Sequence, residues 1–564
     1  MTFRLVLVVW IASIVLVSAQ EPRGLKTPTH GSKAGTAKPR PEHLSLFSHS
    51  ENCMACHNNL ITPGGEDVSI GATWRSTMMA NSARDPYWQA GVRRETIDHP
   101  TQAAAIQDEC GGCHMPMATR IAREAGGTGE VFSHLPLTRS GSPPPPSASA
   151  GQAELRRLAA DGVSCSVCHQ ISSEHLGTPE SFNGAFVINR TPAAGVRRIF
   201  GPYRVDAGRK TIMSSVTGFV QEEAPHIKQS ELCATCHTLI TTAFGPNGEV
   251  VGSLPEQMNY QEWRHSDFAR EERSCQSCHM PAVAGPIRAA SVLGDHRDTL
   301  ARHVFVGGNA YMVRLLNRYR HELGVLALPS ELEATANATI RQLQRDTAEL
   351  TLSKPMLTAD ALAFDVDVRN LTGHKLPTGY PSRRLWLHVN VKNERGESVF
   401  ESGAFGSTGS IAGNDNDTDA RRFEPHYEEI TAADQVQIYE SILGDVGGAV
   451  TTGLLSATQY LKDNRVLPRG FDKTTAAAEI GVYGHANRDA DFTGGSDRVR
   501  YRIPVSTSGP LTIDIELRYQ TIAYRWAKNL ERYDAPEPKR FLSYYSATAE
   551  ASSVVIATAR CVAQ

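Results

Sequence analysis

Five times along this chain a Cys-x-x-Cys pair is followed at once by His: Cys53/Cys56/His57, Cys110/Cys113/His114, Cys165/Cys168/His169, Cys233/Cys236/His237 and Cys275/Cys278/His279. Two thiols three positions apart can add to the two vinyl groups of one haem, and the adjoining imidazole then lies under the iron as proximal ligand. Covalent attachment spares the chain a large apolar pocket around each group. Zinc accounts for the pattern less well. A tetrahedral zinc site takes two Cys pairs, or a pair with histidines, and does not ask for His directly after every pair. A redox Cys-x-x-Cys has no need of the His either. Of 11 cysteines only Cys561 is left over, and it reads as a stray thiol. The expectation is five covalently attached haem c groups, crowded by the short chain between motifs and therefore able to pass electrons.

Each such iron also needs a distal ligand, usually His or Met. The motifs use five of the 20 histidines and leave fifteen. His226 and His49 stand just upstream of attachment sites, in Ser-bearing lead-ins to Cys233 and Cys53. His303 follows the last motif, with His296 nearby. His374 sits in a loop shaped by Gly and Pro, Asn370 to Pro381, which can present one imidazole rigidly. A polar surface side chain is the plain alternative for each. Met78 and Met79 follow the first motif, although Met more often fills a core than binds iron.

The elements that must carry these residues fall into two textures. From 47 to 325 the chain is loop-rich with short helical pieces and holds every motif. Residues 326–346 read as a connecting helix, with Ser330 as its cap. From 347 to 564 the pattern turns to period-two alternation, at Leu362 to Val368, Leu385 to Val391, Val499 to Val505 and Leu511 to Leu517. The fold class expected is α+β: a loop- and helix-rich multihaem cytochrome c domain followed by a β-sandwich-like domain. Residues 470–498 are loop-like, and Pro143 to Pro146 make an exposed loop.

Arg4, an apolar run from Leu5 to Val17 and the small-residue site Val17-Ser18-Ala19 form a signal peptide over 1–19. The run is short for a membrane span, and no later stretch is long and apolar enough for one. Residues 20–46 are a polar flexible leader. Export places the protein in the periplasm or outside the cell. Nucleic acid is not an expected partner, since the formal net charge is −3 and no basic run occurs. Asp415, Asp417 and Asp419 alternate as in a calcium loop, but an EF-hand needs Gly and Glu where Ala420 and His426 stand. A non-EF calcium site stays open beside the favoured reading, a solvated acidic turn.

The motif region resembles multihaem c-type cytochromes related to the tetrahaem cytochrome of ammonia-oxidising bacteria. The motif cluster, Trp74 to Ser76, Val163 to His169 and Ser230 to His237 carry the resemblance. In that family a Ser-x-His-Ala type of segment supplies an axial His. Met79 precedes Ala80 at the corresponding place here, so the resemblance implies Met79 as a substituted ligand and one His/Met haem of higher potential. Gly373 to Gly379 is similar to the C-terminal domain of larger exported multihaem cytochromes. The resemblance covers roughly 47–460 and implies electron transfer through closely stacked haem pairs, with redox proteins of unnamed identity as partners.

Two functions follow. An electron carrier is favoured. The alternative is an oxidoreductase of a small nitrogen or oxygen species, acting at an iron with an open sixth position; no lysine-ended motif of the nitrite-reductase kind is present. A scaffold whose β-rich part binds another cytochrome is a weaker third.

Overall fold

Alternating residues between 361 and 520 build two sheets that share one core. The strand Ala361–Asn370 buries Leu362, Phe364, Val366 and Val368, and pairs antiparallel with Ser496–Pro504 along its whole length. With Ala348–Leu352, Met356–Leu357 and Glu429–Ile430 it makes a five-stranded sheet. The strand Arg384–Lys392 pairs with Leu511–Gln520, which pairs in turn with Ser553–Ala563, inside a seven-stranded sheet. Val366, Val499 and Tyr501 of the first sheet meet Leu387, Val389, Ile513 and Ile515 of the second in a single apolar cluster. Burying each such side chain contributes about 1.5–3 kcal/mol.

The computed structural model describes residues 46–137, 149–188, 197–506 and 509–564. The expected signal segment 1–19, the expected leader up to residue 45 and the Pro143 to Pro146 run lie outside the described residues. The chain is a mixed α and β protein. The motif-bearing part holds short helices and, unexpectedly, three two-stranded sheets: Arg197–Gly201 with Phe219–Glu223, Leu239–Phe244 with Val250–Gln257, and Ala282–Arg288 with His296–Ala301.

The expected connecting helix spans Pro329–Asp346, but Ser330 is not its cap. Pro329 occupies the first helical position, where its fixed φ suits a helix start and its missing N–H costs nothing. Leu328 caps it, and the Leu328 N–H donates to Glu331 Oε2 (2.9 Å). Nor does this helix mark a gap in packing. One apolar cluster joins Leu254, Tyr311, Met312, Leu316 and Leu332 to Leu443, Trp526, Leu530 and Phe541. Arg94 donates to Thr452 O (2.7 Å), and the Glu95 carboxylate accepts the N–H groups of Leu454 and Leu455. His43–Gln564 accordingly forms one compact unit, and the boundary expected at 326–346 runs through a shared core.

Candidate haem-attachment centre

All five motifs lie on or at the end of short helices: Ser50–Met54, Ala103–His114, Cys165–Cys168, Ser230–His237 and Cys275–His279. On a helical turn, positions i and i+3 share a face, so each pair of thiols points the same way. Polar clamps fix the helices to one another. Asp161, at the end of the helix Ala150–Ala160, accepts from Ser50 Oγ (2.6 Å) and Ser164 Oγ (2.6 Å), tying the first motif to the third. Ser166 Oγ donates to Ser48 O (2.7 Å) across the same junction. Gly162, at φ 61°, lets the chain pass there: a Cβ would stand 2.7 Å from the carbonyl oxygens of Met79 and Ala80. The Cys275 N–H donates to Ser230 Oγ (3.1 Å), joining the fifth motif to the fourth.

The thiols report the same adjacency. Cys53 and Cys165 lie close enough to shift each other's ionisation, as do Cys113 and Cys236, and Cys233 and Cys275. Cys168 lies close enough to feel the charge of Cys236. The contacts therefore run first motif to third, third to fourth, and fourth to both second and fifth. The fourth motif is the junction.

Cys56 and Cys278 depart from the crowding expected at every motif. Both are half-buried, and among the described residues neither thiol meets a thiol of another motif. Ser291 holds the Cys56 turn instead, its N–H and its hydroxyl both donating to Cys56 O (2.8 and 3.0 Å). The Cys278 sulfur accepts from Arg273 Nη2 (3.9 Å) and lies 3.8 Å from Ser277 Oγ. The reason is place in the arrangement. The first, second and fifth motifs are its ends, and Cys53, Cys113 and Cys275 are the thiols that approach the third and fourth. The spacing of Cys56 and Cys278 from their partner thiols still suits attachment, which asks for two thiols on one helical face and no contact beyond it.

The imidazoles are oriented by backbone carbonyls. Nδ1 of His57 donates to Ala289 O (2.7 Å), of His114 to Ser82 O (3.2 Å), of His169 to Phe200 O (2.6 Å) and of His279 to Val306 O (2.5 Å). A carbonyl only accepts, so Nδ1 carries the proton and Nε2 keeps its lone pair for a metal. Burial holds His114 and His237 down to about 4 and also lowers His57 and His169. They are neutral at pH 7, the form that binds metal. Trp88 stacks on the His114 ring at 4.4 Å, a contact that nothing in the sequence announced.

Two of the expected distal histidines face motif histidines. The rings of His169 and His303 are 6.4 Å apart with planes 20° from parallel; those of His279 and His374 are 6.2 Å apart, also at 20°. Two metal–nitrogen bonds of about 2 Å each, added to the two ring radii, fill such a spacing. Nδ1 of His303 donates to Ala301 O (3.1 Å) and that of His374 to Lys375 O (3.0 Å), again leaving Nε2 free. Burial pushes His303 to about 3 and His374 to about 4, with the facing imidazole adding to the effect. Neutral imidazoles in facing pairs, beside paired thiols, are a donor set that fits haem c.

The other candidates are placed differently. His226 gives its Nε2 to Ile171 O (2.8 Å) and His49 gives its Nε2 to Glu154 Oε1 (2.8 Å), leaving each only Nδ1 for a metal. Both nitrogens of the exposed His296 are engaged, by Pro286 O and Arg288. Met78 and Met79 sit in a turn after the helix Ile70–Arg75, not on a helix. Met78 packs against the apolar cluster around Trp526, whereas the Met79 carbonyl accepts the Val163 N–H (3.0 Å), two residues before Cys165. The Trp74 indole donates to Val163 O (3.1 Å) beside it.

Close to Cys110 lies a buried acid that the sequence did not single out. Glu256 is 4% exposed, accepts only from Gln257 Nε2 (3.2 Å) and is pushed up to about 8 by burial, then by Glu109 and Glu95. Between the ordinary carboxylate range and pH 8 the unfolded chain has released this proton and the folded chain has not, so folding stability falls as pH rises across that window. Glu256→Gln is expected to stabilise the protein by about 3 kcal/mol at pH 8 and by little at pH 5, read from urea midpoints at both pH values.

Two further clusters of acids find their partners within the chain. The Asp415–Asp419 carboxylates diverge onto arginines: Asp417 pairs with Arg384 (2.8 Å), Asp415 with Arg422 (2.5 Å) and Asp419 with Arg421 (2.9 Å). That replaces the calcium alternative, because each charge is already neutralised in its own direction. His426, Asp489 and Asp497 bring ligand atoms together in the β-rich part. However, His426 Nδ1 accepts from Gln437 Nε2 (2.9 Å) and Asn464 Nδ2 (3.1 Å). Those amides are oriented by the Tyr427 and Glu440 N–H groups on their oxygens. The proton is thus on Nε2, where it donates to Asp489 Oδ2 (3.0 Å).

No family model matches the chain, and no curated protein matches it. Among solved structures it is similar to the penta-heme cytochrome c552 from Thermochromatium tepidum, at 17% identity and a TM-score of 0.49, over 93% of this chain and 100% of that one. None of these comparisons links the chain to the tetrahaem cytochrome of ammonia-oxidising bacteria.

Proposed function

We propose that this chain is an exported pentahaem c-type cytochrome that transfers electrons between redox proteins. A covalently held haem supplies a one-electron ferric/ferrous couple. The chain's own residues do the rest. The ten paired cysteines, Cys56 and Cys278 among them, would anchor five groups, and His57, His114, His169, His237 and His279 would each ligate one iron. His303 and His374, which face His169 and His279, would supply the second imidazole for two of them. The observation that carries the reading is the packing of motif on motif: Asp161 and Ser166 tie the first to the third, and Ser230 ties the fourth to the fifth. Residues 47–325 hold the groups, and 326–346 and 347–564 complete the body and bring His374 to the fifth motif. Periplasmic or extracellular residence follows from the segment 1–19. Among the described residues no helix is long and apolar enough to cross a membrane.

The oxidoreductase alternative draws on one observation. Among the described residues no second imidazole stands at pairing distance from His57, His114 or His237. His49 and His226, through Nδ1, and Met79 are the side chains proposed to serve there. Mass spectrometry of the mature holoprotein is expected to show five covalent haems and the loss of residues 1–19. Low-temperature EPR of the oxidised protein should then show low-spin signals throughout. A weak far-red sulfur-to-iron band should vanish in Met79→His and persist in Met78→His. A persistent high-spin signal would turn the assignment to the enzyme reading, and bound zinc or fewer than four haems would sink it altogether.

A further inference from the structure

His374 belongs to the β-rich part of the chain, yet it faces a histidine of the fifth motif. The loop that carries it is held from the motif-bearing side by one carboxylate. Glu262 lies on the helix Asn259–Arg264, between the fourth and fifth motifs, and is fully buried. Its Oε2 accepts the Lys375 N–H (3.1 Å) and the Thr378 hydroxyl (2.5 Å), bracketing the turn that follows His374. Its Oε1 meets Arg465 Nη1 (3.0 Å). Arg465 in turn pairs with Asp463 (2.7 Å), and Asp463 with the buried Lys375 ammonium (2.7 Å). Two carboxylates and two cations thus form a closed, neutral, buried quartet around the loop.

The His374 backbone is pinned on its other side. Asn370 Nδ2 donates to His374 O (2.7 Å) and to Val466 O (2.9 Å), and Leu376 exchanges both backbone hydrogen bonds with Val466 (2.9 Å each). Those bonds fix the loop to its own sheet. Among the described residues, the Glu262 bonds are the hydrogen bonds that fix it to the helix Asn259–Arg264. Carboxylate bonds to a backbone N–H and a hydroxyl are charge-assisted and directional, so they set the loop's position and not merely its proximity.

We propose that Glu262 is the positioning residue for His374: it holds that imidazole opposite His279, so that ligation at the fifth motif depends on a carboxylate borne by the segment before it. This rests on the reading of His374 as a distal ligand, and the experiment separates the two. Three holoprotein variants are compared by EPR and by titration with imidazole: His374→Ala, Glu262→Ala and Glu262→Gln. His374→Ala is expected to replace one low-spin signal by one high-spin signal and to bind one equivalent of added imidazole. Glu262→Ala should give the same high-spin signal with His374 still present. Glu262→Gln keeps an oxygen for Lys375 N–H and Thr378, and should remain low-spin. A general loss of stability would not distinguish Gln from Ala in this way, nor leave the other four signals unchanged. If His374→Ala stays low-spin, the ligand reading falls and the inference with it. If His374→Ala becomes high-spin while Glu262→Ala does not, His374 is a ligand and Glu262 does not position it. Should Glu262→Ala not mature, Thr378→Val removes one of the two loop bonds. A partial high-spin signal there upholds the proposal, and an unchanged spectrum overturns it.

Discussion

Replacing Cys233 and Cys236 together by Ala is expected to divide the redox centres into three groups that no longer equilibrate with one another. The fourth motif is the junction of the thiol contacts. Cys236 touches Cys113 of the second motif, Cys233 touches Cys275 of the fifth, and Cys168 of the third lies beside Cys236. Among the described residues, the first and third motifs stay joined without it, through Cys53 and Cys165 and the Asp161 clamp. On the proposed reading, the doubly substituted holoprotein should carry one covalent pigment fewer than the parent. After rapid photoreduction it should also show several independent slow phases where the parent shows one fast one. Cys110 and Cys113 replaced together are the control: the second motif is an end of the arrangement, so the four remaining centres should still exchange as one set. A fourth-motif variant that equilibrates at the parent's rate would mean that the thiol contacts do not trace the electron path.

Asp417→Ala is expected to cost about 3–5 kcal/mol of folding stability, the usual consequence of leaving a buried charge without its partner. The charge left behind is Arg384, whose side chain is 1% exposed and which pairs with both Asp417 oxygens, at 2.8 and 3.0 Å. Asp417 Oδ2 also accepts the Ile411 N–H (2.7 Å), so its loss removes an acceptor from a buried backbone donor. Asp419→Ala is the contrast, since its partner Arg421 is 87% exposed and water screens the pair, so the midpoint should barely move. Urea unfolding followed by near-UV circular dichroism gives both values. Replacing Arg384 by Met and Asp417 by Leu together should recover much of the loss, because an apolar pair removes the unpaired charge along with the bridge. Added calcium should leave all midpoints where they are.

What the sequence alone determined is whatever is written locally. Attachment is a covalent demand satisfied within five residues, so the five motifs were legible without any knowledge of the fold. The strands Ala361–Asn370, Arg384–Lys392, Ser496–Pro504 and Leu511–Gln520 were legible because each buries one face along its whole length, which imposes period two on the residues. The three small sheets of the first half were not. Arg197–Gly201, for instance, buries only its last residue, so no alternation is required of it. The start of the helix Pro329–Asp346 was misplaced because Ser330 looks like a cap, while proline takes the first helical position and moves the cap back to Leu328.

The tertiary structure alone decided which imidazole meets which motif. His226, just upstream of Cys233, and His374, in a loop shaped by Gly and Pro, were both candidates on local signals. One gives its Nε2 to the Ile171 carbonyl and the other keeps it facing His279, because chain segments far apart in sequence supply the acceptor or the facing ring. It also decided which thiol of a pair approaches another motif: Cys53 lies beside Cys165 and Cys275 beside Cys233. The same holds for the fourth motif's place at the junction, for the Trp88 ring on His114 and for the carboxylate of Glu262 under the His374 loop. Each is a contact between elements, and spacing along a chain carries no record of the distances between the elements it connects.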